Sequence, residues 1–281
     1  MSKTEIYYFS GTGNSLLVAK ELQKRLPEAK LIPIVSLLKQ DTIKVNGETA
    51  GFIFPLHGMT IPIPVRIFLK KLDLNSASYV FSLVTRAGTK CLALNSVNKI
   101  LKRKGKCLDS GFTLTMLSND PKFEDYDVPN SESISRMESE IRNKLDFVSG
   151  IITNREKYLK KDSDYIDFPF IKPVNFLLER IVLLGIFWAD ITRTNRYYYA
   201  DSKCTGCGIC EKVCLSGKIE MRAGEPLWRK NIKCYLCYTC LNYCPKQAVQ
   251  IKSKIYMKSY TEKNGRYPHP FASVSDISGQ K

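Results

Sequence analysis

Eight cysteines concentrate the chemistry of this chain. Cys204, Cys207, Cys210 and Cys214 are spaced x2, x2, x3, and Cys234, Cys237, Cys240 and Cys244 repeat that spacing with Pro245 directly after. A tight loop carrying the first three thiolates of such a run can wrap one face of a four-iron cubane. The fourth falls on the following helical turn, points away, and reaches the other cluster. The spacing therefore predicts two [4Fe–4S] clusters with crossed ligands. One is held by Cys204, Cys207, Cys210 and Cys244, the other by Cys234, Cys237, Cys240 and Cys214. Paired CxxC sites for zinc are the competing chemistry, but they do not call for two four-cysteine runs of identical spacing. Thr205, Gly206 and Gly208 leave room for backbone amides in the first loop. Tyr235, Leu236, Tyr238 and Thr239 make the second bulkier and drier. Cys91 and Cys107 stand apart and read as ordinary small side chains.

A second constellation lies near the N-terminus. Ser10-Gly11-Thr12-Gly13-Asn14-Ser15 follows a short apolar run, Glu5–Phe9, and opens a helical pattern. Hydroxyls, an amide and glycine-permitted N–H groups at a helix N-terminus suit a phosphate dianion. The loop has no lysine for a nucleotide P-loop and no third glycine for a dinucleotide fingerprint. An uncharged, hydroxyl-rich loop fits a phosphate monoester such as that of FMN.

The elements that must position these groups follow from periodicity. Strands are expected at Glu5–Phe9, Leu31–Ile34, Thr49–Phe54, Tyr79–Thr85 and Phe112–Leu117. Helices are expected at Ser15–Leu26, Pro62–Leu72, Leu92–Lys104 and, as one long amphipathic element, Ser131–Lys160. Strands alternating with helices imply an α/β fold with a parallel sheet covered on both faces. The expected organisation is an α/β domain over 1–161, a linker and apolar helix over 162–196, a cysteine domain over 197–252 and a polar tail over 253–281. Tyr256, Tyr260, Tyr267 and Phe271 suit that tail to folding back over the body. Within 170–189 the uninterrupted apolar run covers only Ile181–Ala189, too short to span a bilayer. This segment reads as a buried or partner-facing helix, with peripheral membrane contact as the alternative.

Around the cysteines the chain resembles bacterial two-cluster ferredoxins over about 55 residues, except that Leu215 stands where those proteins carry proline. The resemblance implies low-potential one-electron transfer. At Ser10–Ser15, and by order of elements over residues 4–160, it resembles flavodoxins. That implies a doubly wound five-stranded parallel sheet with FMN at its carboxyl end, the ring lying between two later loops. Here these loops are Pro55-Leu56-His57-Gly58-Met59-Thr60 and Thr85-Arg86-Ala87-Gly88-Thr89. Neither supplies the aromatic side chain that flavodoxins stack on the ring, so the cysteine domain is the expected cover. His57 is a candidate to hydrogen-bond the flavin or adjust its charge with pH, against a plain solvated histidine. Arg86 is a candidate to stabilise an anionic reduced flavin, against a plain surface arginine. The whole resembles flavodoxin–ferredoxin fusion proteins of anaerobic bacteria and archaea, a small α+β two-cluster domain following the flavodoxin-like one.

The resulting expectation is an iron–sulfur flavoprotein that relays electrons between two clusters and a flavin, with no side chain acting as acid, base or nucleophile. A reductase of a small acceptor, fed by the clusters, is the alternative. The formal charge of +16 falls by about four with both clusters and about two with a flavin phosphate, leaving a basic protein suited to an acidic redox partner. Lys99, Lys102, Arg103, Lys104 and Lys106 would be the basis for nucleic-acid binding, but no binding motif accompanies them and the run reads as a solvated helix face. The N-terminus has no signal-peptide pattern, and clustered cysteines in such a chain imply a reducing cytoplasm.

Overall fold

The computed structural model describes residues 4–160, 181, 184, 197–253 and 258–281. In chain order the first part contains β1 Thr4–Tyr8, α1 Asn14–Arg25, β2 Ala29–Pro33, α2 Ile34–Leu37, β3 Ile43–Lys44, β4 Thr49–Pro55, α3 Ile63–Lys71, β5 Leu72–Asp73, β6 Tyr79–Arg86, α4 Ala93–Lys102, β7 Ser110–Thr115 and α5 Ser131–Thr153. Five strands form one parallel sheet in the order β2-β1-β4-β6-β7, and β3 pairs with β5 separately. Counting only the five sheet strands, this is the 2-1-3-4-5 order of the flavodoxin-like doubly wound fold. The strands read as continuous apolar runs because helices cover them: all eight residues of β6 are buried. α1 packs with α5, and α3 with α4. Ile6, Phe52, Phe54, Phe81 and Leu83 have no exposed surface and form the centre of the core.

Most boundaries fall within two residues of the sequence expectation; the long helix does not. It ends at Thr153, seven residues early, because Arg155 takes a left-handed backbone with φ of 52°. The chain then runs beside β7, where Tyr158 N donates to Asp109 O and Gly111 N to Tyr158 O. Leu159 is therefore not on a helix face, and it is exposed. The expected apolar segment 170–189 lies outside the described residues apart from Ile181 and Leu184, both helical and exposed. Among the described residues no helix is long and apolar enough to cross a membrane.

The cysteine-bearing part is a small α+β unit. β8 Tyr198–Ala200 pairs antiparallel with β11 Val249–Ile251, and β9 Ile219–Arg222 with β10 Glu225–Trp228. Single helical turns at Ile209–Lys212 and Thr239–Asn242 follow the two cysteine loops. Tyr198, Ile219, Leu241, Val249 and Ile251 make a separate small core around Cys210 and Cys214. The C-terminal segment returns over both units and ends in a short helix, Val274–Ser278, started by a Ser273–Asp276 capping box.

Candidate functional site

The two cysteine loops share one backbone design at an interval of 30 positions. Gly206 and Leu236, Gly208 and Tyr238, and Gly217 and Gln247 all have positive φ, between 50° and 74°. Each loop is thereby curled so that its cysteines face inward. Cys204, Cys207, Cys210 and Cys244 line one narrow cavity with Met221, Pro226 and Val249; Cys214 is not among its walls. Cys214 instead acts electrostatically on Cys234, Cys237 and Cys240, while Cys210 is acted on by Cys204, Cys207 and Cys244. Cys244 thus shares a cavity with the first three cysteines of the other run, and Cys214 lies within electrostatic reach of the three of the second.

The sulfurs sit among donors. Lys218 N donates to Cys214 Sγ and Ala248 N to Cys244 Sγ, both at 3.2 Å. Leu236 N donates to Cys234 Sγ at 3.4 Å, and Thr239 Oγ1 to Cys237 Sγ at 3.0 Å. Burial pushes the Cys210 thiol up to about 11 and Cys234 up to about 12, with nearby sulfurs adding repulsion. Buried thiols with amide donors aimed at their sulfurs become thiolates when iron supplies the compensating charge. The donor set fits iron–sulfur clusters.

The quartets differ in exposure. The quartet of Cys204, Cys207, Cys210 and Cys244 includes exposed Cys207, whereas the other has no exposed member, with Cys214 buried and Cys234, Cys237 and Cys240 half-buried. The second loop faces the α/β unit: Tyr235 lies edge-on to Phe9 with centroids 6.5 Å apart, and Phe9 is edge-on to His57 at 6.0 Å. A Cβ on Gly11 would run into the carbonyl oxygen of Cys237, so glycine permits this close approach. Asn242 Nδ2 donates to Asn119 O at 3.2 Å and Lys122 Nζ to Tyr238 Oη at 3.3 Å.

The Ser10–Ser15 loop is held by neighbours that periodicity gave no means to foresee. Ser10, Thr12, Asn14 and Ser15 are all buried. Gln280 brackets Ser10, accepting from its N–H at 3.0 Å and donating to its carbonyl at 2.9 Å. His269 N donates to Thr12 O at 2.7 Å. The hydroxyls are engaged as well: Ser10 Oγ accepts from Gly13 N, Asn119 donates to Thr12 Oγ1, and Ser15 Oγ bonds Thr85 Oγ1 at 2.8 Å. The N–H groups of Asn14, Ser15 and Leu16 open α1 and have no acceptor within the helix. Asn14 Oδ1 is buried without a hydrogen-bond partner. The loop therefore keeps helix-terminal N–H groups for an anion, enclosed by the tail. The aromatic residues of the tail signalled that it folds back over the body, but nothing in them pointed to this loop.

The two ring loops stand beside it. Leu56 N donates to Thr85 O, tying the ends of β4 and β6 together. His57 and Thr60 close a turn in which Gly58 and Met59 have positive φ. His57 is half-buried, and burial lowers its pKa to about 4. It is neither a solvated histidine nor a group that titrates near neutral pH. Arg86 is buried, not a surface arginine, and donates to Thr89 O at 3.1 Å and toward Thr115 Oγ1 at 3.4 Å. Pro55 is half-buried, Ala87 is exposed, and Gly88 turns the loop with φ of 122°.

Residues 203–249, which include all eight clustered cysteines, match the family model of the 4Fe-4S dicluster domain. No curated protein matches the chain. Solved structures of similar fold include rubredoxin oxygen:oxidoreductase from the anaerobe Desulfovibrio gigas, at 10% identity over 55% of this chain and 37% of that one, with a TM-score of 0.35. An FMN-dependent NADH-azoreductase from Bacillus anthracis, in complex with FMN, is similar at 9% identity over 53% of this chain and 100% of that one, with a TM-score of 0.34. The flavodiiron core from Synechocystis is similar at 13% identity over 52% and 36%, with a TM-score of 0.29. The chain spans little more than a third of the first of these. The order of the sheet strands, not these likenesses, carries the fold.

Proposed function

We propose that the chain is an electron carrier with two [4Fe–4S] clusters relaying electrons to and from an FMN-type flavin on the flavodoxin-like unit. The observation that carries this reading is the crossed arrangement of the quartets, with the second lying against the Ser10–Ser15 loop. Cys204, Cys207, Cys210 and Cys244 hold the outer cluster; Cys234, Cys237, Cys240 and Cys214 hold the inner one. Clusters exchange single electrons, and a flavin adds the capacity to take one or two.

The chain's own residues bind and insulate. The N–H groups at the start of α1 hold the flavin phosphate, assisted by Gly11, Thr12 and Gly13. The loops at Pro55–Gly58 and Thr85–Gly88 border the ring, and Tyr235 supplies the aromatic surface those loops lack. Neutral His57 contributes hydrogen bonding with no charge. The Gln280 and His269 contacts close the phosphate loop from outside. Exposed Cys207, with exposed Lys203, Lys212 and Lys246 around the outer cluster, suits an acidic redox partner, and a reducing cytoplasm suits the free thiols. Lys104 and Lys106 donate to Leu72 O and Ala77 O, so two members of the basic run are structural and nucleic-acid binding is disfavoured.

Anaerobic reconstitution tests the reading. About eight irons with matching sulfide, and one FMN that rebinds after extraction, are expected. Full iron with no FMN rebinding would remove the flavin and leave a two-cluster carrier.

A further inference from the structure

The two halves of the cysteine unit match in backbone but not in side chains at one position. Lys218 and Ala248 stand 30 positions apart, and each donates its N–H to the fourth cysteine of its own run. Ala248 is fully buried, as its place demands; Lys218 is 2% exposed, and its whole side chain runs inside. Its Nζ donates to Arg229 O and, at 2.6 Å, to Ile232 O, in the segment that leads into Cys234. Both bonds spend N–H donors, of which an ammonium has three. Burying an ammonium costs several kcal/mol unless a negative charge compensates. The inner quartet is such a charge once its thiolates hold a cluster. Lys218 touches that quartet directly, its backbone N–H bonding Cys214 Sγ at 3.2 Å while Nζ bonds the carbonyl two residues before Cys234. The outer quartet has a different neighbour. Arg266 lies near Cys244, but its guanidinium also bonds Gln250 Oε1 at 3.0 Å, and the Gln250 amide bonds Asp201 at 2.9 Å. A carboxylate thus shares that cation.

We propose that Lys218 is a positioning residue of the electron path, its buried ammonium raising the reduction potential of the inner cluster so that electrons entering at the exposed outer cluster pass inward. A reduced cluster carries one more negative charge than an oxidised one, so a fixed cation beside it favours the reduced form. In the transfer the outer cluster is oxidised and the inner one reduced by the same single electron. No bond changes and no proton moves. The first electron comes from a low-potential one-electron donor at the Cys207 face. The inference rests on the two-cluster reading, and iron content separates the two.

The test is a dithionite redox titration of the anaerobically reconstituted full chain, followed by electron spin resonance after iron and sulfide analysis. Lys218→Gln keeps donors for the two carbonyls and removes the charge; Lys218→Met serves if the amide is not accommodated, and Lys218→Arg keeps the charge. A Cys244→Ser background isolates the inner cluster's signal. With iron content unchanged, the neutral variants should shift the inner cluster's one-electron equilibrium toward the oxidised form by about tenfold, equivalent to about 59 mV downward. Lys218→Arg should stay close to the parent. An inner potential unchanged in both neutral variants, with full iron, overturns the inference and leaves Lys218 a structural tie. A parent chain holding fewer than about eight irons overturns the two-cluster reading and this inference with it.

Discussion

Gln247 sits where its counterpart in the first half is Gly217, and both have positive φ, 50° and 65°. A side chain in that region costs about 1 kcal/mol. Because Gln247 is exposed and the bond it provides to Gln250 comes from its carbonyl, Gln247→Gly should stabilise the chain by about 0.5–1 kcal/mol, read from denaturant midpoints. Both histidines of the chain are pushed toward neutrality by burial, His57 to about 4. Unfolded imidazoles titrate near 6.5, so between about 4 and 6.5 the unfolded chain takes up protons that the folded chain refuses. Stability is therefore complete above that window and lost as pH falls through it. Moving from pH 7.5 to 5.5 should cost about 1 kcal/mol through His57 alone, and His57→Gln should flatten the loss; an equal loss in the variant would place the acid sensitivity elsewhere. The cysteine quartets were legible at this scale because ligand chemistry fixes their spacing. The states of His57 and Arg86 were not, because burial of a loop residue depends on what packs over it.

The second cysteine loop and the C-terminal tail are the elements that make one object of two units. Gly11 lets the loop approach, so Gly11→Ala should disturb the docking while sparing the clusters. Iron content should hold, and hydrogen exchange should speed up in Phe9–Gly13 and Tyr235–Tyr238. The tail contributes Gln280, whose amide satisfies both backbone groups of Ser10. Gln280→Ala leaves a buried N–H unpaired and should cost about 1–3 kcal/mol. Local exchange at Ser10–Gly13 should rise with it, and unchanged exchange there would show that the tail does not close the loop. Sheet strands and α1 were readable from apolar runs and the Ser10–Ser15 turn, since their neighbours in sequence are also neighbours in space. The end of α5 was missed because the apolar spacing continues past Arg155, where a left-handed residue redirects the chain onto β7. The tail's destination was invisible for the opposite reason: its partners at Ser10 and Thr12 lie more than 250 positions away, and no local pattern encodes them.

At the scale of the molecule, order follows from exposure. The Cys204–Cys210 loop meets solvent and the Cys234–Cys240 loop meets the flavodoxin-like unit; under the crossed ligation proposed above, Cys214 and Cys244 join the halves and neither cluster forms from one run alone. An electron path of outer cluster, inner cluster and flavin needs no moving part in this arrangement. The most direct test of the crossed ligation compares Cys214→Ser with Cys244→Ser in anaerobically reconstituted chain, by iron content and electron spin resonance after dithionite reduction. Crossing predicts that Cys244→Ser removes or alters the outer cluster and leaves the inner signal intact, with Cys214→Ser doing the reverse. If Cys214→Ser instead disturbed the cluster of Cys204, Cys207 and Cys210, each run would serve its own cluster and the crossed arrangement would be wrong.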